Sequence, residues 1–175
     1  MVLIFKNIYN NFMNVDTILA AFNRCGVESL LIGGMNFLLR HQPVLTYDAD
    51  LWIQPSPENR LRCENALSSL DAAWGETEEV WGLVARRAPG WLGHQSVYCF
   101  TSPHGSVDVF LTVTGLEDWR VCFERAESTV TAAGVPYRAL SDRDMLACQL
   151  ALPEAERKLD RIRVLRQCLQ TGAQL

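Results

Sequence analysis

Apolar residues near the start of the chain recur every three to four positions, which predicts an amphipathic helix. Its apolar positions are Val15, Ile18, Leu19 and Phe22. Asn14 can cap the start of this helix and Gly26 can end it. The apolar run at residues 29–32 that follows is typical of a short buried strand.

A glycine pair at positions 33 and 34 interrupts the apolar run, and residues 35–41 predict a second helix that Pro43 ends. Residues 47–54 then alternate in character. Asp48, Asp50 and Trp52 occupy one set of positions, and Ala49, Leu51 and Ile53 the other. A period of two predicts a half-buried strand that presents both carboxylates on one face.

The rest of the chain predicts further helices and strands in mixed order. A helix begins at Ser56-Pro57 and buries Leu61, Leu67, Leu70 and Trp74. Strands are predicted at residues 80–85, 96–100 and 106–113, and a hairpin at 129–132 and 137–140. A helix between them presents Leu116, Trp119, Phe123 and Ala126 on one face.

Two helices are predicted at the C-terminal end. Ser141 caps the first, with Asp144 three residues on, and Pro153 starts the second. The inward face of the second is predicted to carry Ala155, Leu159, Ile162, Leu165 and Leu169. No long linker divides the chain, so we expect one domain over residues 1–175, with the C-terminal helices of residues 141–175 packed on it.

Composition narrows the functional classes. The formal net charge of −4 gives no basic footprint for nucleic acid over the whole molecule. Residues 1–5 are apolar but too short for a signal peptide, and no run of about 18 apolar residues suggests a membrane span. The six cysteines and three histidines show no ligand or disulfide spacing. We therefore expect a cytoplasmic protein without a membrane partner.

The pair Gly33-Gly34 lies between a predicted strand and a predicted helix. Backbone amides at a helix N-terminus carry partial positive charge, and glycine lets a phosphate approach them closely. A tight turn without a ligand explains the same pair equally well.

Asp48 and Asp50 are two residues apart on one strand, so their carboxylates stand side by side. Like charges at that spacing repel, and Mg²⁺ bound by carboxylates, waters and phosphate oxygens relieves the repulsion. Asp108 lies in the apolar strand Val107, Val109 and Leu111, where a lone carboxylate is costly unless it is paired or bound to metal. The alternatives are a solvent-facing strand edge for the first two and an arginine or a helix-cap amide as the partner of Asp108.

Taken together, these residues resemble the signature of the DNA polymerase β-like nucleotidyltransferase superfamily. Leu31-Ile32-Gly33-Gly34-Met35-Asn36 is followed by Thr46-Tyr47-Asp48-Ala49-Asp50-Leu51, and then by Asp108 on a later strand. The spacing is similar to that of small bacterial members that resemble AbiE-type toxin nucleotidyltransferases. The resemblance implies a mixed α/β (α+β) nucleotidyltransferase fold, with a central sheet flanked by helices and a helical C-terminal part.

The resemblance also implies roles for the site residues. Asp48, Asp50 and Asp108 are the implied catalytic and metal-binding residues for Mg²⁺ or Mn²⁺, and Asp108 also serves as a base. Gly33, Gly34 and Thr46 line the implied phosphate pocket for a nucleoside triphosphate. The acceptor oxygen attacks the α-phosphorus in line and pyrophosphate leaves.

Two positions depart from the family pattern. Many relatives have an arginine where this chain has Val44, and often a lysine in the late helix where it has Gln149. We expect Arg40 or the pair Arg157-Lys158 to supply the missing positive charge. A solvated helix face is the alternative role for the basic run at residues 157–166.

Three hypotheses follow. The first is a Mg²⁺-dependent nucleotidyltransferase that moves a nucleoside monophosphate to an unidentified protein, small-molecule or RNA acceptor. The second is a catalytically weak member that acts by binding a protein partner, as half of a toxin–antitoxin or defence pair. The third is a phosphotransferase on the same scaffold.

Overall fold

The computed structural model describes residues 13–116 and 118–172. The apolar residues 1–5 lie outside this part of the chain. The helices are α1 Val15–Arg24, α2 Gly33–Arg40, α3 Pro57–Ser69, α4 Trp119–Arg125, α5 Asp142–Ala151 and α6 Leu159–Gly172. The strands are β1 Ser29–Leu31, β2 Asp48–Ile53, β3 Ala73–Trp74, β4 Gly82–Leu83, β5 Val97–Ser102, β6 Gly105–Phe110, β7 Glu127–Val130 and β8 Pro136–Ala139.

The eight strands form one mixed sheet in the order β4-β3-β5-β6-β2-β1-β8-β7. Two neighbouring pairs are parallel, β2 with β6 and β1 with β8, and the remaining pairs are antiparallel. The predicted hairpin around Gly134 is confirmed as β7 and β8. The parallel pair β2 and β6 lies at the centre of the sheet and carries all three predicted site aspartates.

Side-chain caps fix the starts of three helices where the sequence predicts them. Asn14 Oδ1 accepts the N–H of Thr17 at 3.0 Å, and Ser56 Oγ accepts the N–H of Asn59 at 3.3 Å. Ser141 Oγ accepts the N–H of Asp144 at 3.2 Å. Each cap satisfies one of the amides that a helix N-terminus leaves without an intrahelical partner.

Two hydrophobic clusters cover the sheet. The first lies mainly beneath α1 and α3 and includes Ile18, Phe22, Leu51, Leu67, Val107 and Val109. The second includes Leu30, Phe37, Trp52, Trp119, Met145 and Leu165, contributed by β1, α2, β2, α4, α5 and α6. Trp52 is 2% exposed, which makes it a core residue and not a stacking platform.

The predicted inward face of α3 is wrong at Leu61, which is 43% exposed. The buried positions are Asn59, Cys63, Glu64, Ala66 and Leu67. Polar side chains occupy buried positions on this helix because they form hydrogen bonds with backbone groups. The Glu64 carboxylate accepts the N–H groups of Gly90 and Leu92, both at 2.8 Å.

Two other element predictions need correction. The predicted strand at residues 80–85 is only β4, because Val84 turns into the core and donates its N–H to the carbonyl of Ala72 at 2.9 Å. Pro153 precedes a single 3₁₀ turn, Glu154–Glu156, and α6 begins later. Of the residues predicted to face inward there, Ile162 and Leu165 are buried, whereas Ala155, Leu159 and Leu169 are exposed.

The turn before α6 is held by Arg157. Its guanidinium donates to the carbonyl oxygens of Leu150 and Leu152, each at 2.9 Å. This contact ties the end of α5 to the start of α6. Among the described residues, no helix combines the length and the apolar character that crossing a bilayer requires.

Candidate active site

The register of two parallel strands brings the three aspartates together. Asp50 on β2 is the direct partner of Asp108 on β6, and Asp48 lies two residues earlier on β2. One carboxylate oxygen from each lies within 4.8 Å of one from each of the others. The alternate residues Ala49 and Val107 are fully buried on the other face of the sheet. Burial of that face therefore directs all three carboxylates to the same side.

The aspartates are electrostatically crowded. Burial, followed by the charges of Asp48 and Asp108, raises the pKa of Asp50 from 3.8 to about 7. Burial also raises the pKa of Asp108, although a hydrogen bond from the Cys99 thiol counteracts it. Two neighbouring carboxyls, Asp50 and Asp108, therefore hold their protons more tightly than isolated acids, and a bound cation would stabilise their ionised forms.

A divalent metal fits this donor set. Carboxylate oxygens are the hard ligands that Mg²⁺ and Mn²⁺ prefer, and a cluster on two adjacent strands leaves coordination positions for water and phosphate. Asp48, Asp50 and Asp108 would hold the ion. Metal binding competes with the proton on Asp50, because only the ionised carboxylate is a good ligand.

The glycine pair forms the wall opposite the aspartates. Gly33 opens α2 with φ +66°, a conformation that favours glycine. The Gly34 N–H donates a hydrogen bond to Asp50, which lowers the pKa of that carboxyl against the effect of burial. A Cβ on Gly34 would stand 2.6 Å from Thr46 Oγ1, and that hydroxyl donates to Asp48 Oδ1 at 3.0 Å. Gly34 and Thr46 thus border the acidic cluster directly.

Arg161 supplies positive charge at the site, a placement that sequence reasoning missed. Its Nη2 would lie 3.2 Å from a Cβ on Gly34, and its charge lowers the pKa of Asp50. Its guanidinium carbon lies 5.7 Å from the ring centroid of Phe37. Arg161 precedes the buried Leu165 by one helical turn on α6. Its spacing from that apolar residue could therefore have indicated from the sequence that it faces inward.

Arg40 is engaged elsewhere. Its guanidinium donates to the carbonyl oxygen of Leu140 at 3.0 Å and to Asp142 at 2.9 Å, and it pairs with Glu127. Its side chain is 11% exposed. These contacts place Arg40 in a structural network between α2, β7 and α5, and not beside the aspartates, where the sequence predicts a cation.

The C-terminal basic residues fall into different environments. Arg157 holds the turn between α5 and α6 through backbone carbonyls. Lys158 is exposed, and its part in nucleotide binding stays a prediction. Arg163 is 76% exposed and pairs with its helix neighbour Asp160 at 3.0 Å, as expected for a solvated face.

The two positions that depart from the family pattern also have defined surroundings. Val44 packs on the second hydrophobic cluster. Gln149 lines a shallow pocket together with Gly33, Phe37 and Arg161, and its Oε1 accepts the backbone N–H of Lys158 at 2.9 Å. Arg161 therefore lies in the same pocket as the residue that stands in place of a lysine.

No protein-family model matches the chain, and no curated protein matches its sequence. A structural match is the solution structure of the antibiotic-resistance factor ANT(2'')-Ia, with a TM-score of 0.55 and 16% sequence identity. The alignment covers 91% of this chain and 83% of that one. At this identity the likeness concerns the fold. It confirms the predicted nucleotidyltransferase fold, with a mixed central sheet flanked by helices.

Proposed function

We propose that this protein is a metal-dependent nucleotidyltransferase that moves a nucleoside monophosphate from a nucleoside triphosphate to an acceptor hydroxyl. The observation that carries the proposal is the convergence of Asp48, Asp50 and Asp108 within 4.8 Å on one face of a nucleotidyltransferase fold. Acids without a shared role would be scattered over the surface, whereas strand pairing aligns Asp50 with Asp108.

In the proposed reaction the acceptor oxygen forms a bond to the α-phosphorus. The bond from that phosphorus to the bridging oxygen breaks, and pyrophosphate leaves. Asp48, Asp50 and Asp108 would hold Mg²⁺ or Mn²⁺, and the metal would supply electrostatic stabilisation of the negative charge that develops during the transfer. Asp108, whose pKa is raised by burial, accepts the proton of the acceptor hydroxyl.

The phosphates are bound by groups on three elements. The N-terminus of α2 offers partial positive charge and the Gly33 amide, and the Gly34 amide, which donates to Asp50 in the metal-free protein, becomes a phosphate donor when it is released from that carboxylate. Thr46 offers a hydroxyl beside Asp48. Arg161 supplies the positive charge that family members obtain from basic residues at the positions of Val44 and Gln149. Phosphate recognition requires a cation within reach and not one fixed sequence position.

For the acceptor, we favour proteins and small molecules over a large RNA, because the net charge of −4 opposes polyanion binding. The structural neighbour is an antibiotic-resistance factor, so antibiotics belong among the small molecules tested.

The alternative is a catalytically weak protein that binds a partner, in the manner of AbiE-type toxin–antitoxin or defence pairs. Val44 and Gln149 support it, because each replaces a cation that family members use. Arg161 at the cluster supports the enzyme instead.

The test is incubation of the protein with α-³²P-labelled nucleoside triphosphates and Mg²⁺ or Mn²⁺, in the presence of cell lysate or a small-molecule panel. We expect pyrophosphate release and a labelled acceptor. Asp48→Asn with Asp50→Asn should abolish both. The matched control is Glu78→Gln with Glu79→Gln, which removes two charges from an exposed 3₁₀ turn.

Arg161 is tested in the same assay. Arg161→Ala should slow transfer by at least about tenfold, as expected for loss of a cation on transferring phosphates. Arg163→Ala, on the same helix but solvated, should leave the rate unchanged. If neither metal supports transfer with any nucleotide, the partner-binding alternative takes precedence.

A further inference from the structure

A second polar cluster lies at the other end of α2 from the glycine pair. It comprises His41 at the C-terminal cap of α2, Asp142 at the start of α5, and Cys168 on α6. One ligand-type atom of each lies within 4.8 Å of one from each of the others. About eight residues of helix, or roughly 12 Å along its axis, separate this cluster from Gly33.

The imidazole of His41 lies between the other two groups. Its Nε2 is 2.9 Å from Asp142 Oδ1, and its Nδ1 is 3.7 Å from Cys168 Sγ. The Asp142 carboxylate is an acceptor, so Nε2 carries the hydrogen and Nδ1 presents its lone pair to the thiol. The Phe37 ring, 5.1 Å from the imidazole centroid, helps to hold this orientation.

This order of groups is that of an activated thiol: a nucleophile, a base within reach, and a carboxylate that orients the base. A metal site is less well matched. Asp142 Oδ1 also accepts a hydrogen bond from Arg40 Nη1 at 2.9 Å. A metal cation on that oxygen would therefore be repelled by the neighbouring guanidinium. The two ring nitrogens also face different partners instead of one common point.

We propose that Cys168 is a reactive thiol, activated by His41 and positioned through Asp142, that undergoes exchange with low-molecular-weight disulfides. The Cys168 proton passes to His41 Nδ1, and Cys168 sulfur attacks one sulfur of the disulfide R–S–S–R. The R–S–S–R bond breaks, a Cys168–S–S–R bond forms, and the second sulfur leaves as a thiolate. The disulfide is the oxidant in this exchange, and no other co-reactant is required.

The chain contains internal controls for this chemistry. Cys25 is partly exposed, as Cys168 is, but packs against the first hydrophobic cluster. Cys63 is fully buried and reports unfolding if it becomes reactive. All three are measured in one sample of the full-length protein by peptide mass spectrometry after timed exposure to iodoacetamide.

We expect Cys168 to react at least about tenfold faster than Cys25 at pH 7, because the thiolate is the nucleophile. His41→Gln and Asp142→Asn should each lower the Cys168 rate while leaving the Cys25 rate unchanged. Glutathione disulfide should form its mixed disulfide first at Cys168. If Cys63 becomes reactive in a variant, that variant is unfolded and its rates are set aside. The proposal is then tested by the rates of Cys168 and Cys25 in the parent protein.

Equal rates at Cys168 and Cys25 in the parent would overturn the proposal. So would a Cys168 rate that is unaffected in both folded variants. Stoichiometric binding of Zn²⁺ that protects Cys168 and is lost in each single variant would also overturn it, and would identify the cluster as a metal site.

Discussion

The Asp50 carboxylate occupies the space that a side chain at position 33 would need. A Cβ on Gly33 would lie 1.8 Å from Asp50 Oδ2. Gly33→Ala must therefore displace a carboxylate of the cluster, besides straining a backbone at φ +66°. We expect the variant to lose most of its thermal stabilisation by Mn²⁺, measured by differential scanning fluorimetry with and without metal.

Gly26→Ala is the matched control for that variant. Gly26 has nearly the same φ, +67°, but among residues 13–116 and 118–172 no atom beyond its chain neighbours lies within 4 Å of the position that a methyl group would take there. Each substitution should cost about 1 kcal/mol of backbone strain. Only Gly33→Ala should lose the metal response, and an equal loss in both would show that strain alone is responsible.

The acidic cluster should be a source of instability without metal. Asp48→Asn with Asp50→Asn removes mutual repulsion, so its melting temperature in EDTA should equal or exceed that of the parent. Its increase in melting temperature with Mg²⁺ or Mn²⁺ should vanish. Glu78→Gln with Glu79→Gln controls for net charge and should keep the full response. A double aspartate variant that unfolds would make these residues structural partners instead.

The raised pKa of Asp50 gives the metal-free protein a defined pH dependence. Asp50 titrates with a pKa of about 7 in the folded state and of about 3.9 when unfolded, so the folded state binds more protons between these values. The free energy of unfolding in EDTA should therefore fall as pH rises from about 4 to 7, by about 3 kcal/mol. Denaturant titrations at several pH values measure this slope.

Asp50→Asn isolates that contribution. The variant should show a flatter dependence over the same range, whereas Glu78→Gln, an exposed acid, should leave the slope unchanged. The metal-induced rise in melting temperature should grow over the same interval in the parent, because the proton and the metal compete for Asp50. A slope that is the same in parent and Asp50→Asn would contradict the assignment.

Arg40 should matter for stability and not for the nucleotide. Its guanidinium is largely buried and donates to Asp142, Glu127 and the Leu140 carbonyl, so Arg40→Ala leaves Asp142 with His41 as a partner but without the guanidinium. We expect a loss of about 2 kcal/mol of stability by denaturant titration. Arg120→Ala removes an 84% exposed arginine and should change stability by less than about 0.5 kcal/mol.

Most of the candidate site could be predicted from the alternation of buried and exposed residues along the strands. Asp48 and Asp50 share a face because β2 has a period of two, and Asp108 joins them because its strand buries Val107 and Val109 on the other face. Capping residues such as Ser141 were equally local signals. The nucleotidyltransferase fold was predicted from the family resemblance that the aspartates and the glycine pair carry.

The sequence was a poor guide wherever a long side chain chooses between distant partners. Arg40 and Arg161 are both arginines near helix ends, and only the packing of α5 and α6 directs one to Asp142 and the other to Gly34. The grouping of His41 with Cys168 has no signature at all, because the two residues lie on helices that meet only in the folded chain.

The pairing of Asp50 with Asp108 also bears on how the protein folds. β2 and β6 are neighbours in the sheet, but β3, β4 and β5 lie between them in the chain, so closing this pair carries a large loop entropy. We therefore expect this pair to form late in folding and to contribute little to the transition state. A divalent ion held by the three aspartates should therefore slow unfolding and leave the refolding rate almost unchanged, so that its benefit is a longer lifetime of the native state.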